Sequence, residues 1–117
     1  MAHGYKRSAR ISDLLIKEIS EMLVRGKIKD PRVSSASITG VRVTDDMGYA
    51  KVFFTSFDER SDTQEMLEGL RNAAGYIRST LSKRLRMKKI PNIEFEYDTL
   101  VEKRARIDEL LRNVSDE

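Results

Sequence analysis

The chain predicts an α+β fold, with helices packed on one face of a small mixed sheet. Three observations carry that expectation. Apolar residues recur at helical spacing over residues 10–25 and again over 61–89. Residues alternate at strand period over 36–44 and 93–97, and residues 49–57 are rich in β-branched and aromatic types. Turn and breaker residues separate these segments. The order is helix, strand, strand, helix, helix, strand, followed by a short C-terminal helix.

The first helix is expected over residues 10–25. Ile11, Leu15, Ile19, Met22 and Leu23 form its stripe, widened by Leu14 and Ile16. Asp13, Lys17, Glu21 and Arg25 alternate in sign on the other face at i,i+4. Ser8 is the expected N-cap and Gly26 the C′ residue. Lys29-Asp30-Pro31 stops any continuation, because proline disfavours helix in the residue before it.

Two strands follow. Ala36 to Thr39 and Val41 to Thr44 both alternate, but the phase changes at Gly40, which predicts a bulge. Asp45-Asp46-Met47-Gly48 is a turn, and residues 49–57 centre on Val52, Phe53 and Phe54, so the pair reads as a hairpin.

Two overlapping capping boxes, Ser61 with Gln64 and Asp62 with Glu65, open the next helix. Met66, Leu67, Leu70, Ala73 and Ala74 line its inner face, and Ile77, Leu81 and Leu85 resume the pattern beyond Gly75. A mid-helix glycine costs about 1 kcal/mol relative to alanine, so two helices joined at a kink at Gly75 are expected as the alternative to one long helix. Pro91 ends the segment. Ile93, Phe95 and Tyr97 then alternate with Asn92, Glu94 and Glu96 as a third strand. A tail helix over 105–113 is expected to anchor through Ile107, Leu110, Leu111 and Val114.

With 117 residues, the chain is expected to be one domain over 1–117, loose near 1–6 and 114–117. No apolar run approaches the ~18 residues of a membrane span, and the first residues hold no apolar signal region. Cysteine is absent, which excludes disulfides and thiolate metal sites and fits a cytoplasmic protein.

Charge is more informative in its placement than in its sum of +3. No Asp or Glu occurs between Arg71 and Ile93, while Arg71, Arg78, Lys83, Arg84, Arg86, Lys88 and Lys89 are basic. The preceding stretch holds Asp58, Glu59, Asp62, Glu65 and Glu68. A solvated helix ordinarily mixes signs to gain i,i+4 pairs. A helix end favouring cations through its dipole accounts for Arg86, Lys88 and Lys89 but not for the missing acids in earlier turns. Phosphate binding accounts for both. Taken as a continuous helix at ~100° per residue, residues 76–89 place Arg78 and Lys89 beside the apolar face and Arg86 opposite it. Lys83 falls on the far flank, and Arg84 and Lys88 at the stripe's edge. A second basic group comprises Lys6, Arg7 and Arg10, and a third Arg25, Lys27, Lys29 and Arg32. The aromatics available for stacking are Tyr5, Tyr49 and Tyr76, which favours reading of backbone and shape over reading of single-stranded bases.

Catalytic signatures are missing. His3 is the only histidine and there is no cysteine nucleophile; the phosphate-loop and dinucleotide glycine motifs are absent. Asp45 and Asp46 suit a turn, and Glu94 and Glu96 a solvated strand face. The expectation is a binding protein and not an enzyme, with no metal and no cofactor. Three competitors are a non-specific polyanion binder, a small acylphosphatase-like hydrolase and a protein-docking module using Glu94 and Glu96.

Several strings, in order, carry a resemblance. They are Asp30-Pro31-Arg32-Val33, Ile38 to Val43 followed by Asp45-Asp46, Ala50-Lys51-Val52 and Gly69 to Arg78. Leu85-Arg86-Met87, Pro91, Phe95-Glu96-Tyr97-Asp98 and Arg106 to Leu111 complete the set. The chain resembles the ribosome-binding factor A family of bacterial small-subunit assembly factors over essentially its whole length. The resemblance implies a type II KH-like fold in which Ala73-Ala74-Gly75 stands as an interhelical kink where KH domains usually carry Gly-x-x-Gly, a motif this chain lacks. Arg104 stands where the family pattern has glycine. The implied partner is the free small ribosomal subunit near the decoding region. Late maturation of its rRNA, including the 5′ end, importance in cold growth and GTPase assembly factors as functional neighbours are implied as well. A monomer is expected. The expected RNA contacts are Arg7, Arg10, Arg32, Arg78, Lys83, Arg84, Arg86, Lys88 and Lys89.

Overall fold

In the computed structural model, which describes residues 3–115, the elements are α1 (His3–Val24), a single 3-10 turn (Pro31–Val33), β1 (Ala36–Val43), β2 (Tyr49–Ser56), α2 (Thr63–Leu85), β3 (Asn92–Tyr97) and α3 (Thr99–Ser115). This is the expected α+β order, except that one helix, α2, stands where two were expected. The expected loose ends fall partly on Met1, Ala2, Asp116 and Glu117, which lie outside the described residues, as do the side chains of 3–6, 101, 102 and 115.

Helix α1 begins before residue 10, and Ser8 is not its cap. Ser8 lies three residues before Ile11 and seven before Leu15, on the inner face, and is buried. No proline interrupts residues 3–9, so the helix continues back through it. The other end is as expected. Gly26 takes φ +66°, its N–H donates to Leu23 O (3.1 Å), and Lys27 N–H donates to Met22 O (2.9 Å). These two bonds form a Schellman motif and satisfy carbonyls that the helix end would orphan.

The sheet order is β1-β2-β3, with β1 antiparallel and β3 parallel to β2. The register shifts between Ile38 and Gly40, leaving Thr39 as the extra residue. The bulge lets Ile38 and Val41, on either side of it, both pack against the core. Ala50, Val52, Phe54 and Phe95 are buried, while Lys51, Glu94 and Glu96 are exposed; Lys51 reaches Glu96 at 3.8 Å. Phe54 and Tyr97 meet edge to face, with ring centroids 5.7 Å apart. Helix α1 lies against β1 and α2 against β3. From these helices Leu15, Ile19, Met22, Met66, Leu70, Ile77 and Leu81 complete the core. Each fully buried aliphatic or aromatic side chain contributes roughly 1.5–3 kcal/mol.

Of the two capping boxes, Asp62 provides the cap, accepting from Gln64 N and Glu65 N. Ser61 instead bonds Ser35 Oγ at 2.6 Å, and Ser35 Oγ also meets Ser56 Oγ at 3.0 Å, tying β1, β2 and α2 together at one corner.

The expected pair of helices is corrected: α2 is one unbroken helix of 23 residues through Ala73, Ala74 and Gly75. Leu70 on one side of the glycine and Ile77 and Leu81 on the other are all buried. That shared burial outweighs the ~1 kcal/mol propensity cost of one glycine. The helix also ends at Leu85 and does not reach Lys89. The chain must turn back there to place Ile90 and Pro91 inside and to pair Asn92 with Tyr49.

The tail is corrected too. Helix α3 starts at Thr99, where Asp98 Oδ1 accepts from Leu100 N at 2.9 Å. Ile107, Leu110, Leu111 and Val114 do not anchor it. They are 55–68% exposed, because the core is already closed by α1, α2 and the sheet. Among the described residues, no helix is long and apolar enough to cross a membrane.

Candidate nucleic-acid interface

The acid-free half of α2 turns a smooth face to solvent. At ~100° per residue, Asn72, Gly75, Ser79 and Ser82 fall opposite Ile77, and all four are exposed. Arg71 and Arg78 border this strip on one side, Tyr76 and Lys83 on the other. A Cβ added at Gly75 would meet nothing within 4 Å. The helix thus offers small side chains between two basic margins, a surface a phosphate backbone can approach closely.

The nine expected contacts do not form one patch. Arg7, Lys88 and Lys89 come together and line a groove with Asp45, Asp46, Met47 and Met87. Lys83 and Arg86 are exposed near the end of α2. Arg86, Lys88 and Lys89 follow the helix and are not on it, so their expected helical positions are corrected. Arg86 is the C-cap, at φ 52° and ψ 35°. Arg10 is exposed on α1. The side chains of Arg7, Arg10, Lys83, Arg86 and Lys88 hold no hydrogen bond or ion pair among the described residues. Lys6, of the same expected group as Arg7, has its side chain outside the described residues, as do His3 and Tyr5.

Three of the nine are engaged. Arg84 Nε donates to Glu18 Oε2 at 2.6 Å, and its Nη2 lies 3.9 Å from Glu21. Glu18 is buried, so Arg84 supplies its counter-charge and joins α2 to α1. Arg32 holds Asp30 through Nη2 at 2.8 Å, Nε and its backbone N–H, and reaches Glu68 at 3.5 Å. These bonds hold the Asp30 carboxyl below its ordinary range and raise the Arg32 guanidinium. Arg78 Nη2 donates to Ile90 O at 3.3 Å, fixing the segment between α2 and β3.

Tyr76 gains weight. It is half exposed and lines two adjoining grooves of mixed charge, one with Glu18, Glu21, Arg25, Lys27 and Arg84, the other with Lys27, Lys29, Asp30, Asn72 and Ala73. Lys27 and Lys29, of the third basic group, lie outside the expected contact set. Their proximity to Tyr76 depends on how α1 packs on α2, which local sequence does not encode. Among the described residues, no group of three or more His, Cys, Asp or Glu could hold a metal ion.

An α-β-β-α-β chain with both helices on one face of a three-stranded sheet, and an acid-free basic stretch on its second long helix, defines an α+β protein of KH-like architecture. The model of the family described as Ribosome-binding factor A matches residues 7–111. The Ribosome-binding factor A of Syntrophus aciditrophicus is 42% identical over 110 residues, covering 94% of this chain and 89% of that protein. The crystal structure of ribosome-binding factor A from Thermus thermophilus shares the fold, with a TM-score of 0.67 and 24% identity over 77% of this chain and 93% of that one. A homology model of the Thermus thermophilus factor, fitted into a cryo-EM map of a 30S complex, matches with a TM-score of 0.61 and 24% identity, covering 86% and 97%. This chain belongs to the ribosome-binding factor A family.

Proposed function

We propose that this protein is a cytoplasmic, monomeric assembly factor that binds the free small ribosomal subunit near the decoding region. It supports late maturation of the small-subunit rRNA, including its 5′ end, and makes or breaks no bond itself. It acts as one KH-like domain and works alongside GTPase assembly factors. The observation that carries this reading is the basic stretch from Arg71 to Lys89, in which no Asp or Glu occurs, in a family whose Thermus thermophilus member has been fitted into a 30S map.

In this reading, exposed Lys83, Arg86, Lys88 and Lys89 neutralise rRNA phosphates, with Arg7 and Arg10 extending the contact from α1. Arg78, Arg84 and Arg32 serve it differently, since part of each side chain is already bonded to the protein. Gly75, with Ser79 and Ser82 on the same exposed strip, keeps the outer face of α2 low enough for close approach. Affinity comes from charge neutralisation and specificity from the fixed shape of the rRNA.

The test is co-sedimentation of the purified protein with isolated small and large subunits. Pelleting with small subunits alone supports the assembly-factor reading. Equal pelleting with both identifies a generic polyanion binder and overturns it.

A further inference from the structure

Among the described residues, two that are not glycine adopt positive φ: Met47 at 62° and Arg86 at 52°. An L-residue in this region is strained, and such strain persists where surrounding structure fixes it, often at functional sites. Both lie in the two segments that wall the groove of Arg7, Asp45, Asp46, Met47, Met87, Lys88 and Lys89. Met47 lines it directly. Arg86 turns the chain out of α2 and delivers Met87, Lys88 and Lys89 to it.

The walls are tied in place. Asp46 Oδ1 accepts from Thr44 Oγ1 at 2.7 Å and from Gly48 N at 2.9 Å, closing the β1–β2 turn. Asn92 N–H donates to Gly48 O at 2.9 Å, linking that turn to the segment after α2, and Arg78 holds the same segment through Ile90 O. Asp46 is consumed by this work, with its pKa lowered chiefly by the Thr44 hydroxyl. Asp45 is exposed and holds no hydrogen bond or ion pair among the described residues.

The groove measures about 450 Å³, within the ~300–1,000 Å³ typical of sites for small organic groups. Its chemistry has three parts. Two thioether side chains offer soft, polarizable contact to a flat ring. Arg7 and Lys88 suit phosphates on either side of that ring, and so does Lys89, whose charge also acts on the Asp46 carboxylate at the groove wall. One free carboxylate can only accept hydrogen bonds. Of the four RNA bases, guanine presents two adjacent donors on its Watson–Crick edge, N1–H and the N2 amino group, which a carboxylate oxygen pair matches.

We infer that this groove receives one unstacked guanine nucleotide of an RNA strand, with Met47 and Met87 against the base, Asp45 on its Watson–Crick edge, and Arg7, Lys88 and Lys89 on the flanking phosphates. This rests on the RNA-binding reading above and adds base specificity to it.

The test uses the full chain with ¹³C-methyl methionine and five-nucleotide RNAs of uridine carrying guanine, adenine, cytosine, uracil or an abasic site at the centre. The guanine strand is expected to shift the methyl signals of Met47 and Met87, and not those of buried Met22 and Met66. It should bind about tenfold tighter than the others, the discrimination of one bidentate base contact. Asp45→Asn should reduce that preference to below about twofold, and a Lys88→Ala/Lys89→Ala variant should weaken all five strands alike. An abasic strand binding as tightly as the guanine strand, or GMP alone binding as tightly as the strand, overturns the inference. Small-subunit pelleting is measured in parallel: pelleting without base preference sinks the groove alone, and no pelleting of the wild type sinks the reading on which it rests.

Discussion

Single residues divide into those that hold the fold and those left free for a partner. Gly69 belongs to the first group: a Cβ there would stand 2.8 Å from Val33 Cγ1 and 3.3 Å from Arg32 Cβ. Val33 is buried and cannot give way freely. Gly69→Ala gains helix propensity but overpacks this contact, so a net loss of roughly 1–3 kcal/mol is expected in urea unfolding. Arg84 also belongs there. Arg84→Ala leaves buried Glu18 without its cation and should cost about 1–2 kcal/mol, discounted because Arg84 is itself half exposed. Arg86 is the reverse case. Arg86→Gly relieves the left-handed strain and should stabilise by about 1 kcal/mol while weakening small-subunit binding by removing a cation. Helical spacing puts Arg84 at the edge of the apolar stripe and Lys83 on the far flank, but it does not show that Arg84 is bonded. The difference lies in Glu18, 66 residues away in the chain.

Among the elements, helical period and strand alternation give the body and C-terminal end of α1 but not its start at His3, and they give the hairpin with its bulge and β3 directly from the residues. The departures come where tertiary packing outweighs a local signal. Gly75 suggests a break that α2 does not make, because buried residues on both sides hold one continuous inner face. Leu85 ends that helix without a glycine to announce it, since Arg86 takes the left-handed position. The apolar stripe of α3 indicates a helix but not what it meets, and it stays exposed. Gly75→Ala tests the smooth face of α2. With open space around it, the change should stabilise by about 1 kcal/mol. Small-subunit binding should weaken because the added methyl stands on the surface the rRNA approaches. Thermal melts and pelleting on the same variant measure the two effects separately.

For the molecule as a whole, stability should depend on pH through three carboxylates. The Arg32 side chain lowers the pKa of Asp30, the Thr44 hydroxyl that of Asp46, and the Arg60 backbone N–H that of Asp58, each from 3.8. A depressed folded-state value means stabilisation present in full above the unfolded value and lost as pH falls through the folded one. Urea midpoints should therefore be level above roughly pH 5 with respect to these groups and fall below 3.8. Asp30→Asn should flatten part of that fall. The family and the basic stretch are legible from residues alone. The division of nine basic residues into free, bonded and groove-lining sets is not, because it depends on contacts between α1, the β1–β2 turn and the segment after α2.

Under the proposed function, free cations at the end of α2 and beyond it bind rRNA phosphates on the small subunit. The salt dependence of small-subunit binding reads those contacts without intermediaries. It is measured for the wild type and for a Lys83→Ala/Arg86→Ala/Lys88→Ala/Lys89→Ala variant whose melting curve is intact. Each lost phosphate contact should reduce the slope of log K against log salt by about 0.7–0.9, so the variant's slope should be shallower by about 3. An unchanged slope and affinity would overturn this assignment and move the contact to another face.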